Sequence, residues 1–176
     1  ISRMKHIAKK KFGQNFLKDA SIIHSIIQSI NPLLDDALIE IGPGLGALTK
    51  PLLEKSNHLL AIELDRDIVS WMEKEYPKKK ITIFNEDVLN FNFHQFDQKV
   101  RIVGNLPYNI STPILFKCIE NIQIVKDLHF MLQKEVVDRM IAIPSSSEYG
   151  RLSVMLQYYF SMVPQINYSY LCLNVY

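Results

Sequence analysis

The amino-acid sequence predicts an α/β fold in which a mostly parallel sheet carries helices on both faces. Short apolar segments alternate with longer segments whose apolar residues recur at helical spacing, and this alternation is typical of parallel sheets. The apolar segments show no regular polar alternation, so we expect both faces of the sheet to be buried. The chain has 176 residues, 48% of them hydrophobic and 22% charged, which matches an ordinary globular protein.

The predicted elements follow in order from the N-terminus. Asp19 is typical of a helix N-cap, and the isoleucines between residues 22 and 30 form a stripe at helical spacing. Pro51 is compatible with a helix only in or near its first turn. The predicted strands cover residues 37–41, 59–63, 81–84, 100–103 and 128–132. The predicted helices cover residues 20–30, 47–53, 68–75, 113–120, 135–142 and 152–160.

Positive charge is concentrated at the start of the chain. Residues 1–11 contain five of the 20 Lys and Arg residues and no acid, while the formal net charge of the whole chain is only +2. Such an arm suits contacts with the phosphates of a nucleic acid, because clustered cations release counterions on binding. A solvated tail has the same composition, so charge alone leaves both interpretations open.

The cysteines and the apolar runs argue against several classes of protein. Cys118 and Cys172 lie 54 positions apart, and the histidines show no metal-binding spacing. We therefore expect no metal site and no disulfide framework, and we interpret Cys118 as a small core residue in a reducing compartment. No apolar run approaches the ~18 residues of a membrane span, and no secretory signal is recognisable. We expect a cytoplasmic domain with no membrane partner.

A glycine-rich loop is the first candidate binding feature. Three of the six glycines lie in the sequence GPGLG at residues 42–46, directly after the first predicted strand. Glycine permits positive φ and close approach of a ligand, and the following helix N-terminus offers free N–H groups. The loop lacks the Gly-Lys-Ser/Thr sequence of a phosphate-binding P-loop.

An acidic residue completes a binding pattern for adenosine. Glu63 ends the second predicted strand, 21 positions after Gly42, where a carboxylate accepts both ribose hydroxyls of an adenosine group. Read as Gly-x-Gly-x-Gly, the loop is typical of a methyltransferase. Read through Ala47, it is a variant of the dinucleotide fingerprint. At this point S-adenosylmethionine and NAD both remain open as cofactors.

The third and fourth strand ends favour methyl transfer to a base. Asp87 follows the third strand, where its carboxylate would accept the adenine amino group of the cofactor. The fourth strand runs into GNLPY at residues 104–108. There Asn105 offers an amide oxygen, Leu106 a backbone carbonyl and Tyr108 a ring for stacking, while Pro107 stiffens the turn. This set suits the exocyclic amino group of an extruded base, whereas a nicotinamide dehydrogenase would leave the turn without a role.

With these motifs the sequence resembles the ribosomal RNA adenine N6,N6-dimethyltransferase family, the enzymes linked to kasugamycin sensitivity. The resemblance extends to about residue 164. The segments that carry it are KFGQNFL at residues 11–17, EIGPGLGALT at 40–49, IELDRD at 62–67, GNLPYNISTP at 104–113, MLQKEV at 131–136 and YGRLSV at 149–154. Together these segments are highly specific.

The resemblance implies a Rossmann-like fold that uses S-adenosylmethionine as methyl donor. It also implies dimethylation of two adjacent adenosines in the 3′-terminal hairpin loop of small-subunit (16S) ribosomal RNA, during ribosome biogenesis. The residues implied to contact the cofactor are Asn15, Leu17, Gly42, Gly44, Glu63, Asp87 and Asn105. The residues implied to act at the target base are Asn105, Leu106, Pro107 and Tyr108.

The resemblance also implies a domain organisation. Residues 1–18 would form a basic arm that closes over the cofactor, and residues 19–164 the catalytic domain. Residues 165–176 depart from the family's Phe-x-Pro-x-Pro-x-Val-x-Ser pattern. We therefore expect a second stacking aromatic residue, the last strand of the sheet and a helical RNA-contacting domain to be absent.

Other interpretations of the sequence remain open beside the small-subunit enzyme. A sibling enzyme would methylate adenine in large-subunit ribosomal RNA or in DNA. A ribosome-assembly or RNA-binding factor would keep the fold without catalysis, and a nicotinamide dehydrogenase would explain only the glycine loop and Glu63. For the leading interpretation we expect a monomer whose partner is small-subunit ribosomal RNA.

Overall fold

The computed structural model describes residues 16–167 and 170–176. Seven strands form a mostly parallel sheet accompanied by helices, which confirms the predicted α/β class. The chain divides into two compact units, Ile1–Phe91 and Asn92–Tyr176, which are called the first and the second unit below. Within the described ranges, every helix is too short or too polar to cross a bilayer.

The first unit contributes three parallel strands in the order β3-β2-β1. Their register pairs Leu38 with Leu59, and Leu59 with Ile81. The elements of this unit are α1 (Ala20–Ile30), β1 (Ala37–Ile41), α2 (Thr49–Lys55), β2 (Leu59–Ile62), α3 (Arg66–Glu75) and β3 (Ile81–Phe84). A short 3₁₀ turn, Phe16–Lys18, precedes α1.

Local sequence signals explain where the helices of the first unit begin. The Asp19 carboxylate accepts hydrogen bonds from the backbone amides of Ser21 and Ile22, which confirms the predicted N-cap. Asp65 caps α3 in the same way. Pro51 is the third residue of α2, within the first turn, where its missing N–H has no intrahelical partner to lose.

Apolar side chains bury both faces of the first unit's strands. Leu38 and Ile39, which point to opposite faces of β1, are both almost fully buried. On α1, the buried positions are Ile26, Ile27 and Ile30, the inner side of the predicted isoleucine stripe. The uniform apolar character of the strands therefore reflects burial on two sides, as the sequence indicates.

The second unit contributes four strands in the order β4-β5-β7-β6. Strands β4 and β5 are parallel, while β7 is antiparallel to both β5 and β6. The elements of this unit are β4 (Val100–Asn105), α4 (Tyr108–Glu120), β5 (Val125–Met131), α5 (Lys134–Met140), α6 (Arg151–Tyr159), β6 (Phe160–Gln165) and β7 (Tyr170–Val175).

The last strand corrects one prediction from the sequence. The expectation that the last strand of the sheet is missing is wrong, because Tyr170–Val175 form β7 between β5 and β6. Tyr170, Leu171 and Leu173 are buried there. A strand in this place needs apolar, β-compatible side chains that fit its neighbours, and it does not need the family's proline-rich motif.

The beginning of α4 and the end of α6 also differ from prediction. Helix α4 begins at Tyr108 instead of residue 113, because the Pro107 carbonyl already accepts the backbone N–H groups of Ile110 and Ser111. Pro113 thus lies inside the helix. Phe160, expected to end a helix, instead begins the unpredicted strand β6. The apolar and β-branched residues of β6 are compatible with a helix or a strand, and pairing with β7 selects the strand.

Candidate functional site

The glycine loop after β1 has a backbone that only glycine adopts without strain. Gly42, Gly44 and Gly46 have φ values of +62°, +55° and +83°. The Gly42 N–H donates to the Ile62 carbonyl at 2.9 Å, which ties the loop to the end of β2. A Cβ added to Gly42 would meet nothing within 4 Å, so the space beside this residue is open to a ligand.

Glu63 lies directly after β2 with its carboxylate held against the glycine loop. Its Oε2 accepts the Gly44 N–H at 3.4 Å, and its Oε1 accepts the Asp65 N–H at 2.9 Å. The residue is only 6% exposed. Burial raises the pKa of Glu63, although hydrogen bonds from the backbone amides of Asp65, Gly44 and Leu64 oppose that shift. Within the described chain no cation pairs with it, so it is an oriented acceptor ready for hydroxyl donors.

A hydrogen bond between the side chains of Glu40 and Thr49 joins the two ends of the glycine loop. The Thr49 hydroxyl, in the first turn of α2, donates to Glu40 Oε2 on β1 at 2.7 Å. Burial raises the pKa of Glu40 to about 7; the Thr49 hydrogen bond lowers it, and the Glu63 charge raises it further. This bond joins the strand before the loop to the helix after it, and so limits how the loop moves.

The Tyr76 hydroxyl supports the loop near its third glycine. A Cβ on Gly46 would overlap this hydroxyl, so the close packing requires glycine there. Burial, together with the Glu40 charge, raises the pKa of Tyr76 to about 12. The hydroxyl therefore stays protonated and neutral at physiological pH.

The residues after β3 orient the end of β2 and carry Asp87. The Asn85 side-chain amide donates to the carbonyls of Glu63 at 2.9 Å and Leu64 at 3.1 Å. Asp87 Oδ1 accepts the Leu89 N–H at 2.9 Å and caps the 3₁₀ turn Val88–Asn90. The carboxylate is thus held at the end of β3, on the same unit as the glycine loop and Glu63.

In the second unit, the Asn-Leu-Pro-Tyr turn is anchored through its backbone. The Leu106 N–H donates to the Met131 carbonyl at 3.0 Å, continuing the β4–β5 register in which Asn105 faces Met131. The Leu106 side chain is buried, while Tyr108, the first residue of α4, is 69% exposed. No described residue hydrogen-bonds to the Asn105 side-chain amide. The turn is anchored, and it still presents an exposed ring and an amide that no described residue partners.

The structure brings some of the sequence-predicted residues together. Gly42, Gly44 and Glu63 meet at one loop of the first unit. Asn15 lies outside the described residues. Leu17 lies half-buried in the turn before α1. The roles predicted for Asn15 and Leu17 therefore stay predictions.

Three positioning residues were missed by sequence reasoning. Thr49 and Asn85 give no local signal, since their partners lie on other elements. Glu40 gives one, because it is a charged residue inside an otherwise apolar strand. Among the residues the structure describes, no group of three or more His, Cys, Asp or Glu side chains is arranged to hold a metal ion.

Comparisons with known proteins agree with these features. A model described as ribosomal RNA adenine dimethylase matches residues 5–166. The ribosomal RNA small subunit methyltransferase A of Methylobacillus flagellatus is 61% identical over 155 residues, covering 88% of this chain and 61% of that protein. The protein of the same name from Chromobacterium violaceum is 56% identical over 159 residues, covering 90% and 61%. The chain spans about three fifths of the length of these curated relatives.

Solved structures share the fold. A dimethyladenosine transferase from Plasmodium falciparum superposes with a TM-score of 0.76 at 24% identity, covering 90% of this chain and 62% of that one. The 23S rRNA methyltransferase ErmE gives 0.77 at 22% identity, covering 92% and 70%. The predicted Rossmann-like methyltransferase fold is therefore confirmed. Since the family model spans most of the sequence and the curated relatives are more than half identical, the chain belongs to the ribosomal RNA adenine dimethylase family.

Proposed function

We propose that this chain carries the catalytic part of an S-adenosylmethionine-dependent ribosomal RNA adenine N6,N6-dimethyltransferase. The observation that carries the proposal is the turn at residues 105–108. Its backbone is fixed by the bond from Leu106 to Met131, while the Asn105 amide and the Tyr108 ring remain available. An anchored turn with an exposed ring and an amide that no described residue partners suits a flat base that carries an amino group.

The first unit fits S-adenosylmethionine as the methyl donor. The open space beside Gly42 admits a ligand against the backbone, and the oriented Glu63 carboxylate suits the two ribose hydroxyls. Asp87 would accept from the adenine amino group, and by resemblance Asn15 and Leu17 would cover the cofactor. When bound, this cofactor supplies a methyl group on a positively charged sulfur.

The second unit's turn prepares the target nitrogen. The N6 lone pair of adenine is delocalised into the ring and is a poor nucleophile. With one amino N–H held by the Asn105 amide oxygen and the other by the Leu106 carbonyl, the nitrogen turns toward tetrahedral geometry and its lone pair is freed. Tyr108 stacks on the base, which leaves its helix to be reached. After methylation the nitrogen is acidic enough to lose its proton to water, so no general base is needed.

The proposed substrate is the pair of adjacent adenosines in the 3′-terminal hairpin loop of small-subunit ribosomal RNA. The names of the curated relatives support the small subunit as the site of action. We place the reaction in the cytoplasm, where ribosomal subunits mature. A basic arm at residues 1–11 is suited to contact RNA phosphates.

The test is transfer of labelled methyl from S-adenosylmethionine to small subunits that lack the modification, followed by digestion to nucleosides. We expect label in N6,N6-dimethyladenosine. Large subunits and duplex DNA are offered in parallel, and preference for either would overturn the small-subunit assignment. Donor binding without transfer to any substrate would contradict catalysis and favour a non-catalytic RNA-binding factor.

Asn105→Ala tests the role of the turn directly. Because its oxygen matters most at the reacting nitrogen, we expect kcat to fall roughly 10²-fold or more while donor affinity changes little. Gln123→Ala, which removes an exposed amide elsewhere in the second unit, is the matched control. Equal losses of turnover and donor affinity in Asn105→Ala would contradict the proposed role.

A further inference from the structure

Two loops of the first unit place four lysines on one end of its sheet. Lys55 ends α2 just before β2, and Lys78, Lys79 and Lys80 occupy the loop just before β3. We call these four residues the lysine patch. Because β2 and β3 are parallel, both loops lie at the amino-terminal ends of the strands.

Backbone and side-chain hydrogen bonds join the two loops. The Leu59 N–H donates to the Lys80 carbonyl at 3.0 Å, and the Lys80 ammonium donates to the Ser56 carbonyl at 3.4 Å. His58 Nδ1 lies 3.2 Å from the Lys79 carbonyl, in position to donate to it. The lysines are therefore held on a defined surface.

Residues 77–80 form a turn that is closed by a backbone hydrogen bond. The Lys80 N–H donates to the Pro77 carbonyl at 2.8 Å. His58 Nε2 lies 2.8 Å from the Thr82 hydroxyl, which fixes the imidazole between the loops. All of these partners are carbonyls, amides or hydroxyls, so the bonds order the loops without neutralising the lysine charges.

The two loops of the patch carry no acidic residue of their own. Residues 55–58 and 77–80 contain no Asp or Glu. The acids outside these loops include Glu54 on α2, Glu73 and Glu75 on α3, and Asp35, whose carboxylate accepts from the Asn57 amide. In the part of the chain that the structure describes, none of these acids forms an ion pair with the patch.

We propose that the lysine patch binds the phosphate backbone of RNA. Lysine ammonium groups are compact point charges that neutralise phosphates without reading sequence, and their contacts set affinity and orientation. The glycine loop and Glu63 follow the carboxyl-terminal ends of β1 and β2, opposite to the patch within the first unit. A contact here would hold RNA beyond the target hairpin and leave donor binding untouched. That the RNA is the ribosomal substrate rests on the proposed function.

Salt-dependent binding is the test, with Lys78→Ala/Lys79→Ala as the variant. Affinity for a fragment of small-subunit ribosomal RNA is measured from low to physiological salt. Each lost phosphate contact lowers the slope of log K against log salt by about 0.7–0.9, so we expect a slope smaller by about 1.4–1.8 when two contacts are lost. At low salt we expect roughly tenfold weaker binding. The affinity for S-adenosylmethionine should not change.

A charge-matched control separates specific contacts from net charge. Lys74→Ala/Lys134→Ala also removes two positive charges, but Lys74 lies between Glu73 and Glu75 in sequence and Lys134 is paired with Asp138 at 2.6 Å. We expect the control to keep most of the wild-type slope. All four positions are exposed, and thermal unfolding of each variant confirms that it is folded.

Several results would contradict RNA binding by the lysine patch. They are an unchanged salt slope in the variant, a decrease in slope no larger than that of the control, and no salt-dependent RNA binding by the wild type. The proposal would also be contradicted if the lysines were needed for binding polyglutamate but not for binding RNA. The proposed function is scored separately by methyl transfer. Methyl transfer together with RNA binding that does not depend on the lysines would contradict only the role of the lysine patch. RNA binding that depends on the lysines, without methyl transfer to any substrate, would contradict only the proposed function.

Discussion

Both units bury carboxylates, and the pKa values of these carboxylates shift in opposite directions in the two units. In the first unit, burial raises the pKa of Glu40 to about 7 and raises that of Glu63, and no cation pairs with either within the described chain. In the second unit, burial acts to raise the pKa of Asp127, but hydrogen bonds from His129 and Arg101 outweigh it and hold the pKa below its usual range.

The second unit's carboxylate belongs to a closed network. Arg101 Nε donates to Asp127 Oδ1 at 3.0 Å, and its Nη2 donates to Asp127 Oδ2 at 3.0 Å. His129 Nε2 lies 3.2 Å from Asp127 Oδ2, and His129 Nδ1 lies 2.7 Å from the Tyr170 hydroxyl. The network joins β4, β5 and β7, so its charge is compensated inside the fold.

The difference separates structural acids from binding acids. A buried charge with its own cation is satisfied by the fold and has nothing left to offer a ligand. A buried acid without a cation is costly, and such groups cluster where a ligand supplies the missing partners. We propose that Glu63, beside the open space at Gly42, is of the second kind.

Asp127→Ala should have the largest effect on stability. It removes the carboxylate from a buried ion pair with Arg101, and breaking such a pair typically costs about 3–5 kcal/mol of unfolding free energy. Chemical denaturation measures this. Arg101→Met/Asp127→Leu should cost much less, because no charge is left buried. A loss below about 1 kcal/mol for Asp127→Ala would contradict the contrast between the units.

Glu40 should make stability fall as pH rises. The pKa of Glu40 is about 7 in the folded state and 4.5 in the unfolded state, so between these pH values the folded state binds more protons than the unfolded state does. The folded state therefore loses stability as the pH rises through this range, by about 3 kcal/mol in all. Denaturation at pH 5 and at pH 8 measures the change. Glu40→Gln, which keeps an acceptor for Thr49, should reduce this dependence. An identical pH profile in the variant would contradict the raised pKa.

Glu63→Gln should weaken donor binding more than folding. The change removes a charged acceptor for hydroxyl groups, worth about 1.5–3 kcal/mol of binding free energy, or roughly 10- to 150-fold. It also removes a buried charge, so the free energy of unfolding should change by no more than about 1 kcal/mol. Titration calorimetry and denaturation separate the two. A large loss of stability with unchanged donor affinity would make Glu63 a structural acid like Asp127.

Gly42→Ala should lower both stability and donor affinity modestly. Positive φ costs an L-residue about 1–2 kcal/mol, and the added carbon meets no protein atom. It enters the open space beside the loop, so donor affinity should fall as well. Gly150→Ala is the control, because it also meets nothing within 4 Å and its backbone is extended. Equal donor affinity in both variants would show that the space at Gly42 is not part of the site.

Local signals in the sequence were enough to predict the fold class and the main motifs. The Asp19 cap, the isoleucine stripe of α1 and the glycine loop after β1 each depend on neighbours within a few residues. The first three strands were predicted within one residue for the same reason. Strands β6 and β7 were missed, because their sequences suit several states and the pairing between them selects the strand.

The sequence by itself determined the α/β alternation, the helix caps and the loop that needs glycine. Only the tertiary structure decided which acids are compensated. Glu63 reaches Gly44 across 19 positions, Arg101 reaches Asp127 across 26, and His129 reaches Tyr170 across 41. Such contacts depend on strand order and register, since a shift of one residue turns every side chain to the opposite face. Local propensity therefore places each acid on a strand or loop, while the packing of that strand sets its charge environment.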